Sequence, residues 1–351
     1  MTKLKRESRK NECVFTKTST VGFCCKQLHK EEIFTYKNIM AENLTTTNMT
    51  KKRVKPENCE DSLGKKKATD QNDAEIDSFA MYKVMFRAFL SVILPSCSIF
   101  YLVYMGVFDS VFTENGIEHY AERPGLGMKA LLPKWMKMPL NSAVNFGYVI
   151  MAAYWCAYTS AAFQANRITL IDAYISYIFN FMAGCYGPIQ LLRILTQLPQ
   201  FAVLDQWYTY PLFMWVFVWG HFLTSGWNLI FIIQCMIFSV GSYTLTLYTD
   251  VGFEIALGVH IIIAIIGAIL AYQKFPSSDC KYPFVMSILC CAGFVGLKLI
   301  DLDLPKVHPI FTKISGHFLS KIADIYQIHY VNMYFFALTF YKHNFESKKS
   351  M

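Results

Sequence analysis

From residue 84 onward, apolar residues gather into long stretches separated by short polar connectors, over 84–108, 144–163, 170–192, 208–224, 227–248, 253–272, 283–300 and 316–341. A helix of about 20 apolar residues crosses the roughly 30 Å hydrocarbon core of a bilayer. The pattern therefore predicts an all-α polytopic membrane protein of eight transmembrane helices. A longer polar loop after the first stretch arranges them as one plus seven. Pro95 falls inside the first stretch, where neighbouring helices can satisfy the freed carbonyl. Trp135, Trp207 and Trp227 fall near stretch ends, where amphipathic rings prefer the interface.

Composition sharpens this division. The 351 residues are 54% hydrophobic and 17% charged, against roughly 25% charged in soluble domains. Residues 1–83 alone hold 17 of the 33 Lys and Arg and 12 of the 25 Asp and Glu. Residues 1–80 lack apolar periodicity and carry the runs 51–53 and 65–67, so they read as a disordered basic tail. They show no signal-peptide apolar core, and their acidic residues argue against a mitochondrial leader. The sequons at Asn43 and Asn48 matter only if the tail is lumenal. A transmembrane domain over 81–341 and a short basic tail over 342–351 complete the division.

An even helix count places both termini on one side. With cytosolic termini, Arg167, Lys274, Lys281, Lys342, Lys348 and Lys349 lie inside, while Arg123, Lys129, Lys134, Lys137, Lys306 and Lys313 lie outside. The loops tie, and Lys83 with Arg87 decides for cytosolic termini. The eleven cysteines include no Cys-x-x-Cys pair, and those in apolar stretches read as small hydrophobic filler. Cys280, in a loop beside a membrane end, is a candidate for acylation. Four-residue spacing of Gly252 with Ala256, Ala264 with Ala268, Gly267 with Ala271, and Ala292 with Gly296 marks close helix packing.

Ionisable groups inside a membrane are costly and therefore informative. The last stretch sets His317, Ser320, Lys321, Asp324 and Gln327 on one helical face, which must look toward protein or water. One reading is a metal or proton site with His317 as ligand or acid/base and Asp324 as its orienter. The other is a local Lys321–Asp324 ion pair with His317 bonded to a neighbouring helix. Lys298 and Asp301 read as a second local pair. Asp172 and Glu254 suit helix starts, where the dipole favours carboxylates. His221 and His260 read as core histidines satisfied by one partner each, and Glu118, His119 and Glu122 form an incomplete cation set. No phosphate loop, His-Glu-x-x-His or Gly-x-Ser-x-Gly elbow occurs, and the basic tail is explained by a membrane surface without nucleic acid.

Several strings resemble the transmembrane protein 187 family: residues 106–110 with 118–122, 138–142, 186–190, 203–207, 252–258 and 316–321, in order and at family spacing. The resemblance covers about 81–341 and leaves residues 1–80 outside it. It implies a multi-pass membrane protein of the endomembrane system (Golgi, vesicles or ER) in preference to the plasma membrane. The one-plus-seven layout is similar, more distantly, to the alkaline ceramidase and progestin/adiponectin receptor superfamily, whose zinc is held by three histidines. Asn141 and Asn145 resemble the asparagines opening its first core helix, Asp205 the acid opening its third, and His317 the first histidine of its seventh. The histidine of the second core helix is missing around Cys185, and Lys321 stands where the seventh helix would offer another.

The expected protein is therefore a non-enzymatic, ceramidase-like scaffold with a degenerate zinc site and no cofactor, working through membrane lipids or membrane-protein partners. A zinc-dependent lipid amide hydrolase using His317, Asp205, Asp324 and Lys321 is the first alternative. The second is a transporter using Lys321, Asp324, Asp205 and Glu254.

Overall fold

The computed structural model describes residues 60–114, 116–123, 136 and 138–350, with side chains from Phe79 onward. The chain divides into two units, Met1–Asp70 and Gln71–Met351. Of the first, only the helical stretch 60–70 is described. Most of the basic tail, together with Lys129, Lys134, Trp135 and Lys137, lies outside the described residues.

Ten helices are described: α1 (Glu60–Tyr104), α2 (Pro139–Ala143), α3 (Phe146–Gln164), α4 (Leu170–Thr196), α5 (Pro199–Ser225), α6 (Leu229–Ser242), α7 (Gly252–Lys274), α8 (Lys281–Leu299), α9 (Leu304–Val307) and α10 (Gly316–Ser350). Short 3-10 turns lie at Ile117–His119, Tyr243–Leu247, Ser278–Cys280 and Pro309–Thr312. No strand occurs among the described residues. Helix starts follow local chemistry. Thr169 and Asp172 form a reciprocal capping box at α4, Pro199 opens α5, and the Asn228 side chain accepts from the Phe231 N–H at α6. Helix α4 ends at Gln197 in the left-handed region, with φ 57°.

The closest helix pairs are α8 with α10, α5 with α7, α3 with α4 and α4 with α5. Helix α5 is the most enclosed, burying 19 of its 27 residues. Its approach to α7 is possible only through glycine: a Cβ on Gly220 would stand 2.4 Å from the Gly267 carbonyl oxygen. Ala264, Ala268 and Ala271 are buried as their spacing predicts, and Ala256 and Gly252 likewise. Ala292 and Gly296 depart from that expectation. Ala292 is exposed, and nothing lies within 4 Å of a Cβ on Gly296. Helices α7 and α8 barely approach each other, because one leans on α5 and the other on α10.

Among the described residues, four segments are long and apolar enough to cross a membrane: Phe79–Tyr104, Leu229–Leu247, Gly252–Lys274 and Ser278–Leu299. Eight were expected. The other long helices, α3, α4, α5 and α10, dilute their apolarity with Tyr, Trp, Asn, Asp and Lys that face one another inside the bundle. The described cysteines are all free, and Cys280 is fully buried with its Sγ 3.9 Å from the Tyr334 carbonyl. Burial removes it as an acylation site.

Candidate functional site

The polar face of α10 looks into the bundle: His317, Ser320, Lys321, Asp324 and Gln327 are each no more than 9% exposed. Facing it are the start of α3, the end of α4 and the start of α5. The Lys321 Nζ donates to Asn145 Oδ1 at 3.0 Å, and the Tyr148 hydroxyl donates to Asp324 Oδ2 at 2.6 Å. Asn145 and Tyr148 are three residues apart, as are Lys321 and Asp324, so the two contacts are successive rungs between two helices. The expected Lys321–Asp324 ion pair is absent, since each group turns to the facing helix instead.

Asp205 forms a buried ion pair with Arg193, whose Nη2 also donates to the Glu114 carbonyl at 3.0 Å. Arg193 closes α4 just beyond the apolar stretch, where it reads as an ordinary interface cation in sequence. Its proximity to Asp205 is created by the α4–α5 turn. Lys298 and Asp301 do not pair either. Asp301 accepts from the backbone N–H groups of Ala121 and His317, both at 2.9 Å, while Lys298 lies 5.7 Å from the Phe253 ring centre.

The segment 116–123 is stitched across this end of the bundle. Gly116 N–H donates to Gln197, Arg123 N–H donates to the Thr312 carbonyl, and both Glu122 carboxylate oxygens accept from the amides of Leu140 and Asn141 at 2.9 Å. Glu122 thus caps α2 and is not a cation ligand. Burial raises its carboxyl pKa, opposed by those two amide donors. Tyr120 packs edge-on to the His317 ring with centroids 4.7 Å apart, and burial raises the Tyr120 hydroxyl pKa.

The remaining histidines lie elsewhere. His260 Nδ1 sits 2.7 Å from the Ala256 carbonyl, with its ring stacked on Tyr210 and Phe238. His221 stacks on Phe231 at 3.8 Å. No group of three His, Cys, Asp or Glu side chains able to hold a metal occurs among the described residues. A three-histidine zinc set does not fit the described residues: among them His317 has no second imidazole facing it, and the acids around it are engaged by Arg193, Tyr148 and backbone amides.

A second polar layer was not legible as a site. Asn180 and Asn332 exchange two amide hydrogen bonds, at 3.0 and 3.1 Å, and Thr159 bonds Ser176 at 2.8 Å. All four side chains are buried. Neutral amides attract no notice in a charge-based reading. Near the opposite end of α4, Asp172 accepts within its capping box and also meets His343 Nε2 at 2.9 Å.

Two cavities flank this network. An apolar chamber of about 260 Å³ lies between α7 and α8, floored by α5 and α10, with Ala264, Ala268, Cys291, Ala292, Val331 and Tyr334 in its wall. A more polar cavity of about 330 Å³ opens at the bundle end, where Arg193, Lys298, Glu254, Asp250, Glu114 and His119 converge. Val295 belongs to both walls.

The family profile described as the TMEM187 protein family matches residues 88–336. Transmembrane protein 187 of Homo sapiens is 37% identical over 234 residues, covering 66% of this chain and 85% of the relative. The Bos taurus protein of that name is 36% identical over 252 residues, covering 72% and 96% respectively. No solved structure matches the chain.

Proposed function

The chain belongs to the TMEM187 protein family, and from that premise we propose a non-enzymatic, eight-span protein of the endomembrane system that holds a membrane lipid. The apolar chamber between α7 and α8 carries this reading. Its wall includes the exposed Ile288 and Ala292, so an acyl chain enters from the side without crossing a polar barrier. Packing that leaves two apolar helices apart over a void of this size loses dispersion contacts unless something fills it.

The interior polar groups support holding over turnover. Lys321 and Asp324 are consumed by contacts within the protein, and Asp205 by its ion pair with Arg193, which makes them struts of the bundle. In the same reading α3, α4, α5 and α10 also span the membrane, because their polar side chains are satisfied inside the bundle and cost little there. Both termini face the cytosol, on the evidence of Lys83 and Arg87 beside the first span. No cofactor is required, and the partners are membrane lipids.

The test is lipid extraction from the full chain purified in mild detergent. We expect about one lipid per protein, lost when Ala292→Trp fills the chamber from its exposed edge. Absence of bound lipid, or undiminished binding in the filled variant, overturns the reading. So does turnover of a lipid amide that His317→Ala abolishes.

A further inference from the structure

The bundle-end cavity has an uneven charge arrangement. Arg193 is 6% exposed, its two terminal nitrogens are engaged by Asp205 and the Glu114 carbonyl, and among the described residues its Nε–H has no acceptor. Half-buried Lys298 forms no ion pair among the described residues and lies 5.7 Å from the Phe253 ring centre. These cationic donors occupy the inner wall, while the carboxylates of Glu114, Asp250 and Glu254 are exposed at the mouth. Asp301, also in the wall, is already engaged by two backbone amides. Inner positive charge and outer negative charge complement a phosphate with a tethered ammonium.

Depth agrees with this. From Val295, shared by both cavities, the apolar chamber extends along α8 to Phe284. Eleven residues at about 1.5 Å each give roughly 16 Å, close to the half-thickness of about 15 Å that one leaflet's acyl chains occupy. Building on the lipid-holding reading, we infer that this cavity binds the headgroup of a zwitterionic phospholipid, phosphate toward Lys298 and Arg193 and ammonium toward Glu254 and Asp250, with an acyl chain passing Val295 into the chamber. An anionic lipid without the ammonium meets three uncompensated carboxylates at the mouth. A diacylglycerol leaves the Arg193 Nε–H and Lys298 without an anion.

The experiment reconstitutes the full chain in nanodiscs of palmitoyl-oleoyl phosphatidylcholine, phosphatidylglycerol and diacylglycerol in equal amounts, and identifies retained lipid by native mass spectrometry. Phosphatidylcholine is expected to be enriched about tenfold over either competitor, the loss that follows when one charge-assisted contact is forfeited. Lys298→Gln should remove that enrichment. The double variant Asp250→Asn with Glu254→Gln alters only exposed side chains, so it folds even if the Lys298 variant does not, and it should shift preference toward phosphatidylglycerol. Lipid retained in bilayer proportions, or an unchanged preference in the double variant, overturns the headgroup assignment while leaving lipid holding intact. No retained lipid of any kind overturns the lipid-holding reading itself.

Discussion

The inner helices α4, α5 and α10 and the outer helices α6, α7 and α8 solve opposite problems. In the apolar windows of the outer three, only 11–39% of residues are buried, and their exposed faces are Ile, Leu, Val and Phe. Helix α8 buries just Pro283 and Phe294, whereas α5 buries 19 of 27 residues. An outer helix must match lipid, so its sequence is uniformly apolar. An inner helix turns much of its surface to protein, so it can carry Asn, Asp, Lys and Arg wherever another helix supplies the partner. Hydropathy therefore reports what a helix faces, and a helix that is less apolar can be the more deeply buried one.

The largest expected break in this contrast is at Arg193. Arg193→Met leaves the Asp205 charge buried without its partner, and such losses cost about 3–5 kcal/mol. Unfolding in detergent should show this directly, with much of it recovered by the double variant Arg193→Met with Asp205→Leu. If the single variant is as stable as wild type, the inner helices do not depend on polar pairing. Next is Gly220→Ala, whose Cβ collides with the Gly267 backbone; overpacking of this kind costs about 1–3 kcal/mol. Gly258→Ala, on α7 with nothing within 4 Å, should be neutral or stabilising by up to about 1 kcal/mol. Equal effects of the two would erase the difference between packed and lipid-facing positions.

Smaller still is the Asn180–Asn332 exchange. Side-chain hydrogen bonds between membrane helices average about 0.6 kcal/mol and reach about 1.7, so Asn332→Leu should lower stability within that range. The smallest effect concerns pH. Hydrogen bonding to Asp172 raises the His343 pKa above its ordinary 6.5. The folded state thus binds the proton more tightly than the unfolded state, and the stabilisation is complete below pH 6.5. It fades as pH rises through the folded-state pKa. Thermal unfolding of wild type minus His343→Gln should therefore show an advantage at mildly acidic pH that disappears on the alkaline side; a pH-independent difference would contradict the pairing.

The sequence by itself determined the helical class, the membrane setting, the family, and the fact that the last helix turns a polar face inward. These follow from local regularities: unbroken apolar runs, the 3.6-residue period that aligns His317, Lys321, Asp324 and Gln327, and strings kept in order. Asp172 at a helix start and His260 with a single partner were also legible, because a cap and an i−4 carbonyl lie within one turn. What the polar groups bond to was decided only by tertiary structure. Lys321 and Asp324 are near enough to pair locally, yet Asn145 and Tyr148, 176 residues away in each contact, present partners across a buried interface. Spacing along one helix cannot reveal what the facing helix offers. The same holds for Arg193 with Asp205, for Glu122 capping α2, and for the gap between α7 and α8, since a void is a property of how helices diverge and belongs to no residue's own chemistry.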